Sequence, residues 1–216
     1  MEKDALCRIG IMGGTFDPIH FGHLVLAQSV QDTLGLQKIL FIPTGDPPHK
    51  KHQSVTDAAR RLEMVQLAIE DNPGFACSPM EVDRQGYSYT VDTLEQLKVQ
   101  YGSMCALYFI TGADAIVDIL VWKDVARLAK LCQFVAATRP GTDKEKLSNF
   151  LEDLPGYLQK KVEIIQVPAL EISSSDIRRR VAQGRPITYL LPKNVENYIW
   201  ENKLYQQGVE SNETND

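Results

Sequence analysis

Two textures alternate along the chain: short runs that are apolar throughout, and longer stretches whose apolar positions recur three and four apart. The continuous runs fall at residues 5–12, Lys38–Pro43, Met104–Ile110, Cys132–Ala137 and Val162–Val167. Apolar on successive positions rather than alternating, they predict strands covered on both faces. The periodic stretches predict helices. One runs over about 22–34 and is closed by Gly35; a second, over about 57–71, starts at Thr56-Asp57, presents Leu62, Val65, Leu67, Ala68 and Ile69, and is stopped by Asn72-Pro73-Gly74. Phe75–Val82 reads as extended, Asp83–Gly86 as a turn, and Tyr87–Thr90 as the lead into a helix that buries Val91, Leu94 and Leu97. Thr111–Asp114 turns into a short helix, and Trp122 and Lys123 open another that reaches about Lys130. Arg139-Pro140-Gly141 starts a loop before a helix over Lys144–Leu151. Ser173–Asp176 caps a helix to Gln183, and Leu191-Pro192-Lys193 begins the last one, to about Tyr205. Strand, helix, strand over residues 5–43 is a βαβ unit with a right-handed crossover, and its repetition predicts a doubly wound α/β fold with a Rossmann-like parallel sheet. Residues 1–207 read as a single domain, and 208–216 as a disordered polar tail.

Composition narrows this picture. With 216 residues and 44% hydrophobic types, the chain can bury one large α/β core. A net charge of −5 without a basic patch argues against a partner that is a nucleic-acid polymer, but leaves small anions open. The four cysteines, Cys7, Cys77, Cys105 and Cys132, form no C-x-x-C pair and sit in or beside apolar runs, so they are expected to be reduced and buried. With neither an apolar leader after Met1 nor an apolar run of 18 residues, no membrane contact and a cytoplasmic location are expected.

The chemistry lies where the strands end. Ligands of such folds bind outside the carboxyl ends of the strands, and residues 13–23, 44–52, 111–114 and 168–178 all fall there. The first stretch, Gly13-Gly14-Thr15-Phe16-Asp17-Pro18-Ile19-His20-Phe21-Gly22-His23, joins a strand to a helix N-terminus. Free N–H groups and the positive end of the helix dipole suit that place to an anion. Gly13 and Gly14 let the backbone approach a ligand, Gly22 keeps the backbone between the two histidines open, and His20 and His23 can donate to phosphate oxygens. The alternative is a pair of capping or core histidines. The four histidines also form two pairs of equal spacing, His20 with His23 and His49 with His52, which admits a zinc site; Lys50 and Lys51 beside the second pair repel a cation and suit a phosphate. A second anion site is Ser173-Ser174-Ser175-Asp176-Ile177-Arg178, in which hydroxyls at a helix start stand one turn before a potential phosphate clamp. A plain helix cap is the alternative there, and Arg179 and Arg180 read as solvated. Neither a G-x-x-x-x-G-K-[ST] loop, a G-x-G-x-x-G fingerprint nor a G-x-S-x-G elbow is present.

Gly13–Leu24 and Ile172–Arg178 together resemble the nucleotidylyltransferase superfamily. Within it, Pro47-Pro48-His49-Lys50, Ser88-Tyr89-Thr90-Val91-Asp92-Thr93-Leu94, Gly112-Ala113-Asp114 and Trp122 resemble the bacterial nicotinate-nucleotide adenylyltransferases, in family order; Thr111 departs from the apolar residue common before this glycine. The resemblance implies a Rossmann-like fold and transfer of the adenylyl group of ATP to nicotinate mononucleotide, with Mg²⁺ accompanying ATP, no resident metal, and room for a homo-oligomer. It implies that Gly13, Gly14, Thr15, Phe16, Gly22 and Gly112 line the ATP site, with His20 and His23 on its phosphates and Ser174, Ser175 and Arg178 at the β/γ end. His49 and Lys50 would reach the phosphates from the second loop. Asp114 suits a ribose hydroxyl, Trp122 the pyridine ring and Thr90 its carboxylate. Simple core packing of Trp122 and a helix N-cap role for Thr90 are the alternatives. Competing functions are an adenylyltransferase for nicotinamide mononucleotide or another phosphorylated acceptor, and a nucleotide-binding module without turnover.

Overall fold

The computed structural model describes residues 7–46, 55–138, 144–168 and 170–206, without the side chains of 114, 144 and 146. Strands β1 (Arg8–Gly14), β2 (Lys38–Pro43), β3 (Phe75–Cys77), β4 (Ala106–Gly112), β5 (Gln133–Thr138) and β6 (Val162–Gln166) pair in the order β3-β2-β1-β4-β5-β6, every pair parallel. The order reverses between β1 and β4, which makes the carboxyl ends of those two strands the switch point. β1, β2 and β5 are buried along most of their length, as their unbroken apolar runs require.

Helices cover both faces. On one face, α1 (Phe21–Leu34), α2 (Ala58–Ile69), α8 (Ser174–Ala182) and α9 (Lys193–Glu201) pack Val30, Met64, Ile177 and Ile199 against Met12, Ile39, Phe41 and Ile110. On the other, α3 (Thr90–Tyr101), α4 (Ala113–Ile116), α5 (Val125–Leu131), α6 (Lys144–Asp153) and α7 (Gly156–Gln159) pack Leu94, Ile116, Leu128 and Leu158 against Ile9, Ile11, Leu107 and Phe134. Gly35 ends α1 at φ 57°, and the next N–H, that of Leu36, bonds to Gln31 O at 2.9 Å, closing the helix as the glycine predicted. Asp57 starts α2, its carboxylate accepting from the N–H of Ala59 at 2.9 Å.

The structure corrects several expectations. Residues 5–12 were expected as the first strand; its observed span is Arg8–Gly14, so Gly13 and Gly14 are strand residues, and neither has a positive φ. The extended segment from Phe75 stops at Cys77, because the chain turns at Pro79–Asp83. Trp122 and Lys123 do not open a helix: Trp122 follows a 3₁₀ turn over Ile119–Val121, and α5 starts at Val125 behind Asp124. The last helix ends at Glu201 rather than Tyr205, because Lys203 and Tyr205 take left-handed φ values that no helix continues through. Cys7 and Cys105 are joined in a disulfide rather than reduced; the β1–β4 register that sets Arg8 beside Ala106 brings the two preceding residues together, at the amino ends of these central strands, opposite the switch point. Cys77 and Cys132 are free, and burial pushes both thiols up to about 12. The tail 208–216 lies outside the described residues.

Candidate active site

The turn from β1 to α1 is built around His20, the N-cap of α1 with extended backbone (φ −150°, ψ 170°). Its N–H donates to His23 Nδ1 at 3.3 Å, and the two rings stack with centroids 3.8 Å apart. Accepting that bond leaves Nε2 as the donor of the His23 ring. His20 is buried, at 6% exposure, while His23 is half-buried, so His23 is the more accessible imidazole of the pair. Phe16, at φ 49°, is buried and meets the His23 ring edge-on at 5.1 Å. The glycines have packing reasons as well: a Cβ on Gly14 would stand 3.0 Å from the Phe16 ring, and one on Gly22 3.0 Å from His20 Nδ1. The capping alternative for the histidines is therefore realised, through the bond from the His20 N–H to His23 Nδ1.

The segment Ser173–Arg178 docks on the turn from β1 to α1. Ser173 caps α8, accepting from Asp176 N at 3.2 Å. Ser174 Oγ donates to Pro18 O at 2.9 Å, and Arg178 Nη1 donates to Asp17 O at 2.6 Å, with Nη2 turned to Ser175 Oγ at 3.4 Å. These bonds join residues 156 and 161 positions apart, so Gly13–His23 and Ser173–Arg178 form one surface. Arg179 and Arg180 are not simply solvated: both pair with Asp176, Arg180 Nε at 2.7 Å, and hydrogen bonding to Arg180 holds that carboxyl below its ordinary value.

Beneath this surface lies a cation that the sequence reading missed. Arg61 on α2 is 1% exposed and donates to Thr56 O at 2.7 Å, Thr15 O at 2.7 Å and Gly45 O at 3.1 Å. It thus ties the loop after β1 to the loop after β2. Burial lowers its pKa, while Asp17 and Tyr205 act to raise it. The available signal was its position: Arg61 stands three and four residues before Met64 and Val65, on the buried stripe of α2. Gly45 is confined too, since a Cβ there would stand 2.1 Å from the Glu81 carbonyl oxygen.

The remaining expected site residues lie around the carboxyl end of β4 and the start of α3. Trp122 meets Phe109 edge-on at 5.6 Å and Phe134 at 6.3 Å, and the Phe109 ring lies 3.6 Å from where a Gly13 Cβ would be. Half-buried, Trp122 is part core and part surface. Lys123 Nζ stands 3.8 Å from the centre of the Tyr89 ring, linking the residue after Trp122 to the one before Thr90. Thr90 is not the cap of α3: Tyr89 holds that position without a side-chain bond, and Thr90 is the first helical residue. Gly112 ends β4 and caps α4, with open space around its Cβ position. The backbone of Asp114 lies in α4, while its side chain, and the whole of His49, Lys50 and His52, lie outside the described residues. Among the described residues no group of three His, Cys, Asp or Glu side chains could hold a metal ion, and no helix is long and apolar enough to cross a membrane.

Comparison with known proteins places this geometry. The cytidylyltransferase-like family matches residues 11–180. A protein of Moorella thermoacetica called a probable nicotinate-nucleotide adenylyltransferase is 53% identical over 199 residues, 92% of each chain. A relative of the same name from Thermoanaerobacter sp. is 50% identical over 98% of this chain and 99% of its own. Among solved structures, the Plasmodium falciparum nicotinic acid mononucleotide adenylyltransferase complexed with NaAD superposes with a TM-score of 0.75 over 92% of this chain and 97% of that one. At 22% identity, that likeness carries the fold alone.

Proposed function

The chain belongs to the cytidylyltransferase-like family, and from that premise we propose that it transfers the adenylyl group of ATP to nicotinate mononucleotide, forming deamido-NAD and pyrophosphate in NAD biosynthesis. The observation that carries this reading is the docking of the two anion motifs, through Ser174 on Pro18 O and Arg178 on Asp17 O. Two phosphate-suited segments on one surface fit a triphosphate, and relatives half identical over nearly the whole chain bear the corresponding name.

The chemistry asks little of a base. The 5′-phosphate of the mononucleotide is already anionic; one of its oxygens attacks the α-phosphorus of ATP in line, and the bond from that phosphorus to the β-bridging oxygen breaks, releasing pyrophosphate. Positioning and charge stabilisation then supply the rate. His23 donates from Nε2 to an α-phosphate oxygen, its ring held by the His20 N–H and stacked on His20. Ser175 and Arg178 take the β/γ end with the first-turn N–H groups of α8, while Gly13, Gly14, Thr15, Phe16, Gly22 and Gly112 line the nucleotide. Trp122 offers its open face to the pyridine ring, Thr90 and the adjacent N–H groups of α3 meet the carboxylate, Asp114 takes a ribose hydroxyl, and His49 and Lys50 meet phosphates from the second loop. Both Asp17 oxygens are engaged, by Tyr205 and the Thr56 N–H. Mg²⁺ would enter with ATP and offset the charge of its phosphates. Residues 1–207 act as one nucleotidylyltransferase unit, working in the cytoplasm.

The test is pyrophosphate release with ATP and each mononucleotide in turn. A kcat/KM for the acid at least about tenfold above that for the amide, equivalent to roughly 1.4 kcal/mol, is expected. Equal values would refute the assignment of the acceptor.

A further inference from the structure

Tyr205 lies beyond α9, in a segment to which no part of the reaction has been assigned, yet its side chain reaches the centre of the site. Its backbone is left-handed, φ 61°, a conformation that residues with a Cβ rarely adopt. That turn sends the side chain inward, where the hydroxyl donates to Asp17 Oδ1 at 2.7 Å, a bond between residues 188 positions apart, and lies 3.9 Å from Met64 Sδ. Burial, and then the negative charge of Asp17, push the phenol well above its ordinary value, so it stays a donor. Asp17 is itself buried at 5% exposure, and its other oxygen, Oδ2, accepts the Thr56 N–H at 3.2 Å. The side chain of Asp17 is thereby held at both oxygens. Its backbone carbonyl seats Arg178 at 2.6 Å, and the next carbonyl, Pro18 O, seats Ser174 at 2.9 Å.

We propose that Tyr205 is a positioning residue for the triphosphate end of the site: by holding Asp17 it fixes the two carbonyls on which Arg178 and Ser174 are seated. The inference rests on the reading above that Arg178, Ser175 and the first turn of α8, which Ser174 anchors on Pro18 O, serve ATP phosphates. Without the hydroxyl, Asp17 Oδ1 loses its buried partner, the Asp17–Pro18 segment gains freedom, and Arg178 and Ser174 move with it. The pyridine side of the site, around Trp122 and Thr90, is attached to β4 and α3 and does not depend on this chain of bonds.

Tyr205→Phe removes the donor and keeps the ring. The probe is α,β-methylene-ATP with Mg²⁺, titrated calorimetrically without acceptor. Its dissociation constant is expected to rise about five- to tenfold, the scale of one ordinary hydrogen bond, because Tyr205 acts on the phosphate site only through Asp17, with the KM for the mononucleotide unchanged. Asp17→Ala, which removes the acceptor, should weaken the analogue too, and the double variant should show clear non-additivity, because both changes break the same bond. Leu204→Ala, next to Tyr205 but in the apolar core, controls for destabilisation: it should lower the melting temperature and leave analogue binding unchanged. Tyr205→Phe binding the analogue as the wild type does would overturn the inference, as would Leu204→Ala weakening it equally. A wild-type chain that binds the analogue but ignores nicotinate mononucleotide would refute the acceptor assignment alone, and one that does not bind the analogue would refute both.

Discussion

Replacing Arg61 by methionine keeps an unbranched side chain of similar length on α2 and removes the guanidinium. Three hydrogen bonds disappear, to Thr56 O, Thr15 O and Gly45 O. Bonds from a charged donor contribute about 1.5–3 kcal/mol each, so their gross loss is roughly 4.5–9 kcal/mol. Against this stands the cost of burying a cation at 1% exposure, several kcal/mol that the variant no longer bears. Carbonyl oxygens tolerate under-satisfaction better than N–H groups, but Asp17, whose negative charge acts to raise the Arg61 pKa, also loses a nearby positive charge. The net expectation is a loss of about 3 kcal/mol, a large part of a total of roughly 5–15 kcal/mol. Urea unfolding, followed by both circular dichroism and tryptophan fluorescence to establish a two-state transition, reads this as a lower midpoint at unchanged slope. Arg61→Lys should fall between, since an ammonium cannot span three separated carbonyls in a plane. Arg60→Met, one residue away and exposed, should stay within about 0.5 kcal/mol of the wild type. A loss below about 1 kcal/mol for Arg61→Met, or an equal loss for Arg60→Met, would refute the view that this cation bolts the two loops together.

Three further outcomes follow from the geometry. Burial raises the pKa of Glu81, partly opposed by its bond from Thr93 Oγ1 at 2.6 Å and by Arg84. The folded state therefore holds this proton more tightly than the unfolded one, and the resulting stability is complete below the ordinary value of 4.5 and is lost as pH rises through the raised value. Glu81→Gln should remove that decline, so its stability relative to wild type should improve from pH 4 to pH 8 in denaturation curves. His23→Ala should lower kcat by about 10²-fold or more, measured as pyrophosphate release at saturating substrates; a change confined to KM would take His23 away from the transition state. Trp122→Ala should raise the KM for the mononucleotide with the KM for ATP unchanged, whereas unaltered kinetics with a lower melting temperature would return Trp122 wholly to the core beside Phe109 and Phe134.

Much of this was legible before any coordinates. Continuous apolar runs located five of the strands, and Gly35 marked the end of α1 to the residue, because each is a local decision of the chain. The segments Gly13–His23 and Ser173–Arg178 could be singled out because glycine, histidine, serine and arginine at a helix start have few other uses in that combination, and the structure joins the two on one surface. What escaped was non-local. Cys7 and Cys105 are 98 residues apart and meet only through the β1–β4 register. The partnership of Tyr205 with Asp17 depends on a left-handed turn after α9, and that of Arg61 with Thr15 and Gly45 on two loops converging under α2. Thr90 resembled a cap by residue type, but extended backbone at Tyr89 moved the helix boundary one residue earlier. Gly14 was read as space for a ligand; the Phe16 ring occupies the neighbourhood of its missing Cβ.

The central claim is that a mononucleotide phosphate oxygen attacks the α-phosphorus of ATP on the surface shared by His23 and Arg178. The most direct measurement supplies nicotinate mononucleotide with its 5′-phosphate oxygens labelled by ¹⁸O, together with unlabelled ATP, and weighs both products. The account predicts a dinucleotide that retains all of the label, one of the labelled oxygens bridging the two phosphorus atoms, and pyrophosphate that carries none. Unlabelled AMP, ADP or orthophosphate in place of the dinucleotide, or label in the pyrophosphate, would contradict it.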